Sequence, residues 1–150
     1  MKFTNGYWLD KKEYQINHPE EAFTAEQEGK ELNVFAPYKR INGRWDELNI
    51  GMTTIKLSSP AEDVIGVKLT HFDQNKKEPS FELTDWHPDV DIHVDDQAAS
   101  LQSGRLQVNV PLRQEFAMTF NADGKEITAS RHRAQGEITN RDNGKHYMRE

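Results

Sequence analysis

The chain has 150 residues, which is the length of one ordinary domain. Its formal net charge of -6 would repel both phosphate backbones and anionic lipid surfaces, so we expect no nucleic acid and no membrane among its partners. The lack of cysteine excludes disulfides, thiolate metal sites and thiol nucleophiles, and it favours a cytoplasmic location. Apolar residues make up only 35% of the chain, which predicts a thin core between two layers.

Residues 17–29 carry signals for two different structures. An acidic first turn and the closing Gly29 favour a short helix. A helix here would have few apolar side chains to anchor it, whereas the alternation of Phe23 and Ala25 permits a strand. We therefore expect a strand, with a helix as the alternative.

Apolar and polar residues then alternate with a period of two in short runs that end in turn residues. In a strand, alternate side chains face opposite sides of the sheet, so each run predicts one dry and one wet face. The apolar positions are Leu32, Val34 and Ala36; Ile55 and Leu57; Ile65, Val67 and Leu69; Val90, Ile92 and Val94; Leu106, Val108 and Val110; and Phe116, Met118 and Phe120. Asp123-Gly124 then suits a tight hairpin turn, with the return strand at Ile127. Such spacing is typical of an all-β sandwich or barrel, and we expect an antiparallel β-sandwich.

Two long polar stretches, 38–49 and 73–88, interrupt the strands, and each contains a tryptophan. Loops of this length often carry function, and an aromatic face offers flat apolar area on which a sugar ring can stack. Trp45 and Trp86 are therefore the candidate sugar contacts. Packing in a core or an interface is the commoner use of such side chains.

The residues nominate no catalytic group, no cofactor site and no metal site. Asp91, His93 and Asp95 would share one strand face and could in principle ligate a metal, but charged residues on such a face more often discourage aggregation of sheet edges. Glycosidic cleavage needs two facing carboxylates ~5 to 9 Å apart. The nearby acids Glu20/Glu21, Glu26/Glu28 and Asp95/Asp96 are more simply explained as solvated surface.

Several short stretches resemble sequences of bacterial family 31 glycoside hydrolases of the α-xylosidase kind. They are Met-Lys-Phe-Thr-Asn-Gly-Tyr-Trp-Leu at 1–9, Ser-Ser-Pro at 58–60, Ile-Gly-Val-Lys-Leu-Thr-His-Phe at 65–72, Ser-Gly-Arg-Leu at 103–106, Gly-Lys-Glu-Ile-Thr-Ala-Ser at 124–130 and Tyr-Met-Arg-Glu at 147–150. Their order also matches, over nearly the whole chain. Because they are strand and turn sequences, they indicate the family better than the substrate.

The resemblance implies that residues 1–150 are an amino-terminal β-sandwich domain similar to the galactose mutarotase fold, and incomplete at its carboxyl end. In that family a (β/α)8 barrel follows and carries two catalytic aspartates, which hydrolyse terminal α-linked xylose with retention and without a cofactor. We expect this chain to lack the barrel, to be inactive alone and to have that barrel as its partner. Missing strands would leave a sheet edge exposed and favour a homo-oligomer. An autonomous carbohydrate-binding module and a mutarotase are the alternatives.

Overall fold

The computed structural model describes residues 3–4, 9–71 and 88–149. Within these ranges the regular structure consists of β-strands and one short 3-10 helix at Arg44–Glu47. The strands are β1 (Tyr14–Asn17), β2 (Thr24–Glu28), β3 (Glu31–Pro37), β4 (Met52–Ala61), β5 (Val64–Thr70), β6 (Asp91–Val94), β7 (Ala98–Ser103), β8 (Leu106–Pro111), β9 (Met118–Ala122), β10 (Lys125–Ser130), β11 (Gly136–Asn140) and β12 (His146–Arg149). None of the described residues belongs to a helix that is long and apolar enough to cross a membrane.

The strands form three sheets in which every pairing is antiparallel. One sheet has the order β2-β3-β4-β5, the second β10-β9-β8-β7-β6 and the third β1-β11-β12. The four-stranded and five-stranded sheets pack face to face, with β2 near β6, β4 near β7 and β5 near β8. The expected all-β, antiparallel sandwich is therefore confirmed.

The core lies between these two sheets and is built from the alternating positions of their strands. Fully buried side chains come from β3 and β4 on one side and from β7 and β8 on the other: Leu32, Val34, Ile55, Leu57, Leu101, Val108 and Val110. Phe116, which precedes β9, closes this core and is 1% exposed. Burying a side chain of this size stabilises the fold by roughly 1.5–3 kcal/mol, so the alternation supplies most of the cohesion between the sheets.

The strand expected within residues 17–29 is confirmed at β2, where Ala25 is buried. The residues before it also run beside β3, because the Glu20 amide donates to Pro37 O and the Phe23 amide to Phe35 O. The helix alternative is wrong, since these backbone donors are used by the neighbouring strand and not by a helical turn.

Two apolar positions are more exposed than the alternation predicts. Val67 pairs with buried Leu57 and lies on the same side of the sheet, yet it is 39% exposed because β5 is at the edge of its sheet. Val94 is 38% exposed for the same reason, since β6 is at the edge of the five-stranded sheet. The predicted hairpin turn is as expected, because Asp123 and Gly124 both adopt the positive φ that a tight reversal requires.

One end of the sandwich is closed by a contact between the β4–β5 turn and the β7–β8 turn. Asp63 accepts a hydrogen bond from the Arg105 amide at 2.6 Å and a second from its guanidinium at 3.1 Å. Gly104 is required beside them, because it has φ +56° and an added Cβ would lie 2.5 Å from Asp63 Oδ1. Beneath the turns, buried Ser59 and Ser103 share a 2.7 Å hydrogen bond. We call Asp63, Gly104 and Arg105 the turn clasp.

Replacing Asp63 by Asn tests the charge of the turn clasp. The Arg105 amide, followed by its guanidinium, holds the pKa of Asp63 below its ordinary value, so the folded state favours the carboxylate. This stabilisation is present above the ordinary pKa of about 3.9 and is lost as the pH falls through the lower folded value. We expect D63N to lower the midpoint of urea unfolding at pH 7 and to have little effect at pH 2. Asp123→Asn is the matched control, since Asp123 lies 3.9 Å from the same guanidinium; equal midpoints for D63N and wild type at pH 7 would contradict the prediction.

Candidate functional site

The loop between β3 and β4, residues 38–51, is held in one conformation by its own polar groups. The Tyr38 amide donates to Gly51 O at 3.0 Å and closes the base of the loop. Asp46 Oδ2 accepts hydrogen bonds from the amides of Asn42, at 2.9 Å, and Gly43, at 3.1 Å. These bonds fix the start of the 3-10 helix, which carries Trp45.

Trp45 is presented to solvent by this helix and is 83% exposed. Leu48, just after the helix, is 63% exposed, and Met52, at the start of β4, is 42% exposed. Single exposed apolar residues need no explanation, but several on one ordered loop form a candidate interaction surface. The expected sugar contact Trp45 thus lies where a partner could reach it.

A groove of about 310 Å³ lies beside this loop. Its apolar lining comes from Phe23, Phe35, Pro37, Ile41, Ile50 and Met52, and its polar lining from Thr24 and Glu47. The guanidinium of Arg113 lies 5.3 Å from the centroid of the ring of Phe23, one of these lining residues. We call Trp45, Leu48 and this groove the Trp45 surface.

Glu21 supports the loop from below. It is only 4% exposed, and its Oε1 accepts a 2.7 Å hydrogen bond from the Ile41 amide. The expectation that Glu20 and Glu21 are both solvated surface is therefore wrong for Glu21. A carboxylate can be buried here because it satisfies a backbone donor of the loop. Sequence reasoning missed it because a pair of adjacent acids gives no signal of a distant backbone donor.

A second polar cluster joins the base of the loop to the three-stranded sheet. Glu137 on β11, whose side chain is 6% exposed, lies 3.2 Å from His71 Nε2 and 3.1 Å from His146 Nδ1. The Tyr38 hydroxyl lies 3.0 Å from His71 Nδ1 and 2.9 Å from Thr53 Oγ1. We call these five residues the Glu137 network.

Packing within this network explains the protonation of its tyrosine. The Tyr38 ring stacks on the His71 ring at 5.6 Å, and Gly51 permits this placement because an added Cβ would lie 2.9 Å from the Tyr38 ring. Burial raises the pKa of Tyr38 to about 12; the hydrogen bond with Thr53 opposes the rise and the charge of Glu137 adds to it. The phenol is thus a neutral hydrogen-bonding group at physiological pH.

The remaining candidates from the sequence have ordinary surroundings or lie outside the described ranges. Trp86 is among the residues that are not described. Asp95 accepts hydrogen bonds from the amides of Gln97 and Ala98, which lower its pKa and give it a role in the turn before β7. His93 lies 3.1 Å from the same side chain and Asp91 is exposed. Across residues 3–4, 9–71 and 88–149, no three side chains form a metal-binding group.

Known proteins with similar sequences were found for the whole chain. It is 53% identical over 150 residues to the α-xylosidase XylQ of Lactiplantibacillus pentosus, of which it covers 20%. Over 132 residues, or 84% of this chain and 17% of the relative, it is 29% identical to an α-xylosidase of Emericella nidulans. This chain is related to α-xylosidases. The predicted resemblance to α-xylosidases is confirmed, and the chain spans about one fifth of the length of these relatives. No protein-family model matches it.

Three of the stretches that carried the resemblance contain described residues that take part in the contacts above. Ser-Gly-Arg-Leu at 103–106 contains two residues of the turn clasp, and Ser-Ser-Pro at 58–60 contributes Ser59 beneath it. The stretch at 65–72 forms most of β5 and brings His71 to the Glu137 network. These three stretches therefore mark structural contacts, whereas the loop that carries Trp45 lies outside all the similar stretches.

Replacing Tyr38 by Phe should change how stability responds to alkaline pH. With a folded pKa of about 12 and an ordinary value near 10, the tyrosine ionises more readily in the unfolded chain. Its contribution is complete below pH 10 and is lost as the pH rises from about 10 to 12. Urea unfolding of Y38F at pH 9 to 11.5 should lack this component. Tyr147→Phe controls for removal of a phenol elsewhere, and an unchanged pH dependence in Y38F would contradict the assignment.

Proposed function

We propose that this chain is the amino-terminal, non-catalytic β-sandwich domain of an α-xylosidase-type glycoside hydrolase, and that it packs on and stabilises a catalytic barrel of the same polypeptide. The observation that carries the proposal is the 53% identity over all 150 residues to one fifth of an α-xylosidase. An identity of this level over the whole length of this chain supports the same role in the larger protein. In that role the chain contributes buried area and positioning, and the barrel contributes the chemistry.

Among the residues that the structure describes, the environments of the two most buried carboxylates support a structural role. Glu21 holds the Ile41 amide, and Glu137 lies between His71 and His146. A glycosidase needs one carboxyl group to donate a proton to the leaving oxygen and a second one facing it across the sugar. Both buried acids are instead committed to contacts that hold segments of this fold together.

Within the parent enzyme we assign retaining hydrolysis of terminal α-linked xylose to the barrel, without a metal or organic cofactor, and we assign the protein to glycoside hydrolase family 31. This rests on the similar stretches of sequence and on the relatives that are α-xylosidases. A cysteine-free chain suits a bacterial cytoplasmic enzyme, because such a chain needs no oxidising compartment to fold.

A second candidate function is autonomous binding of carbohydrate, and the 83% exposure of Trp45 favours it. An ordered, exposed indole is the platform on which a pyranose ring can stack. The lining of the adjacent groove argues against it, because a sugar also needs several hydrogen-bonding groups and only Thr24 and Glu47 are polar there.

Hydrolysis of p-nitrophenyl α-D-xyloside tests the main proposal. We expect no activity from the 150-residue chain and clear activity from the longer protein encoded by the same reading frame, because the carboxylate pair belongs to the barrel. Glu137→Gln in the 150-residue chain is the control for trace contamination. Activity of this chain that disappears in E137Q would overturn the proposal and make Glu137 the acid to study.

Calorimetric titration of the chain with xylose-containing oligosaccharides tests the second candidate. The main proposal expects no heat of binding. Saturable binding that Trp45→Ala abolishes and Ile127→Ala leaves intact would favour the binding module, since both residues are exposed apolar side chains and only Trp45 offers an indole face.

A further inference from the structure

The Trp45 surface has the composition of a protein contact. Its centre is aromatic and aliphatic, from Phe23, Phe35 and Ile50 in the groove to Trp45 and Leu48 on the loop. Interface cores are enriched in aromatic residues and methionine and depleted in charge, with a polar rim around them. Charges of both signs lie next to these apolar side chains, from Arg44 and Glu47 in the helix of Trp45 and from Arg113 beside Phe23.

The loop is also ordered before any partner binds. Asp46 holds two amides, Glu21 holds the Ile41 amide, and Tyr38 closes the base through Gly51. Ordering a loop during association costs affinity, so a loop that is already fixed loses less free energy on binding. An indole that is 83% exposed on such a loop is suited to be an anchor that enters a pocket of the partner.

The position of β12 indicates which partner can reach this surface. Arg149 pairs with Gly136, and Gly136 lies so close to His18 that an added Cβ would be 2.8 Å from its Nδ1. Two residues after His18, the Glu20 amide donates to Pro37 O, next to the loop. Polypeptide joined to β12 would therefore leave the fold at the end that presents Trp45, opposite the turn clasp.

We infer that the Trp45 surface is the contact through which this sandwich packs on the remainder of its own polypeptide, with Trp45 as the anchor in an apolar pocket of the catalytic part. The inference rests on the proposed function, because it takes the partner from there. It adds which face of the sandwich is covered and which residue dominates the contact. The relatives are about five times as long as this chain, so polypeptide sufficient to cover the surface exists in proteins of this kind.

Hydroxyl-radical footprinting compares the 150-residue chain with the longer protein of the same reading frame. We expect oxidation of Trp45 to be roughly tenfold slower in the longer protein, because water is excluded around an interface anchor. Ile127 is the matched reference, since it is 58% exposed near the clasp end and should be oxidised equally in both. If Trp45 is oxidised at the same rate in the 150-residue chain and in the longer protein, and the longer protein hydrolyses the xyloside, the inference is overturned and the proposed function stands. A longer protein without glycosidase activity would instead overturn the proposed function, and this inference with it.

Substitution provides the second measurement. Trp45→Ala should leave urea unfolding of the 150-residue chain unchanged, because its side chain is mostly exposed, and should lower the unfolding midpoint of the longer protein. Ile127→Ala should lower neither. If Trp45 is protected from oxidation in the 150-residue chain itself, and light scattering gives the mass of a dimer, the surface is assigned to a second copy of the chain. If Trp45 is protected from oxidation only after xylo-oligosaccharide is added, the Trp45 surface is assigned to sugar binding. Either result would overturn the inference.

Discussion

The fold depends on the burial of alternate aliphatic side chains between the four-stranded and five-stranded sheets. Leu32 and Val34 on β3 belong to the same buried cluster as Leu101 and Val108 of the opposite sheet, and each of them is fully buried. A sheet cannot bury its apolar face alone, so neither sheet is stable without the other. Only 35% of the residues are apolar, so few apolar side chains are available for this core. Polar contacts at both ends of the sandwich add to its stability. The turn clasp joins the two sheets at one end, and the Glu137 network joins the third sheet at the other.

Much of the sandwich could be predicted because period-two alternation is a local signal. Leu32, Ile55 and Val108 lie in the core as expected, and the Asp123-Gly124 turn has the expected backbone. The positions that deviate from the alternation also have a physical explanation. Val67 lies on the predicted side of the sheet, but it is exposed because its strand is at the edge. Val94 is exposed for the same reason, because β6 is also an edge strand. Local alternation carries no information about which strand is at an edge.

The polar contacts could not be predicted because they join residues that are distant along the chain. Glu137 meets His71 only because β11 of the third sheet lies beside the end of β5. In the sequence, both read as ordinary polar positions. The same holds for Asp63 and Arg105, which meet because packing of the two sheets brings the β4–β5 turn next to the β7–β8 turn. Glu21 is the clearest case: adjacent acids predict solvent exposure, yet one of them is buried by a backbone donor twenty positions away. Such partners are set by topology, which only the fold supplies.

The loop at 38–51 shows where sequence and structure complement each other. The sequence singled out Trp45 as an aromatic residue in a polar loop, but it left a sugar and a protein as alternatives. The fold adds the apolar groove beside Trp45, which comes from Phe23 before β2 and Phe35 on β3 and is invisible in the loop's own sequence. A sugar presents hydroxyl groups around its apolar face, and in this groove most of them would lose water without gaining a partner. An apolar protein side chain would lose nothing of that kind, so the same exposed indole favours a protein contact once its surroundings are known.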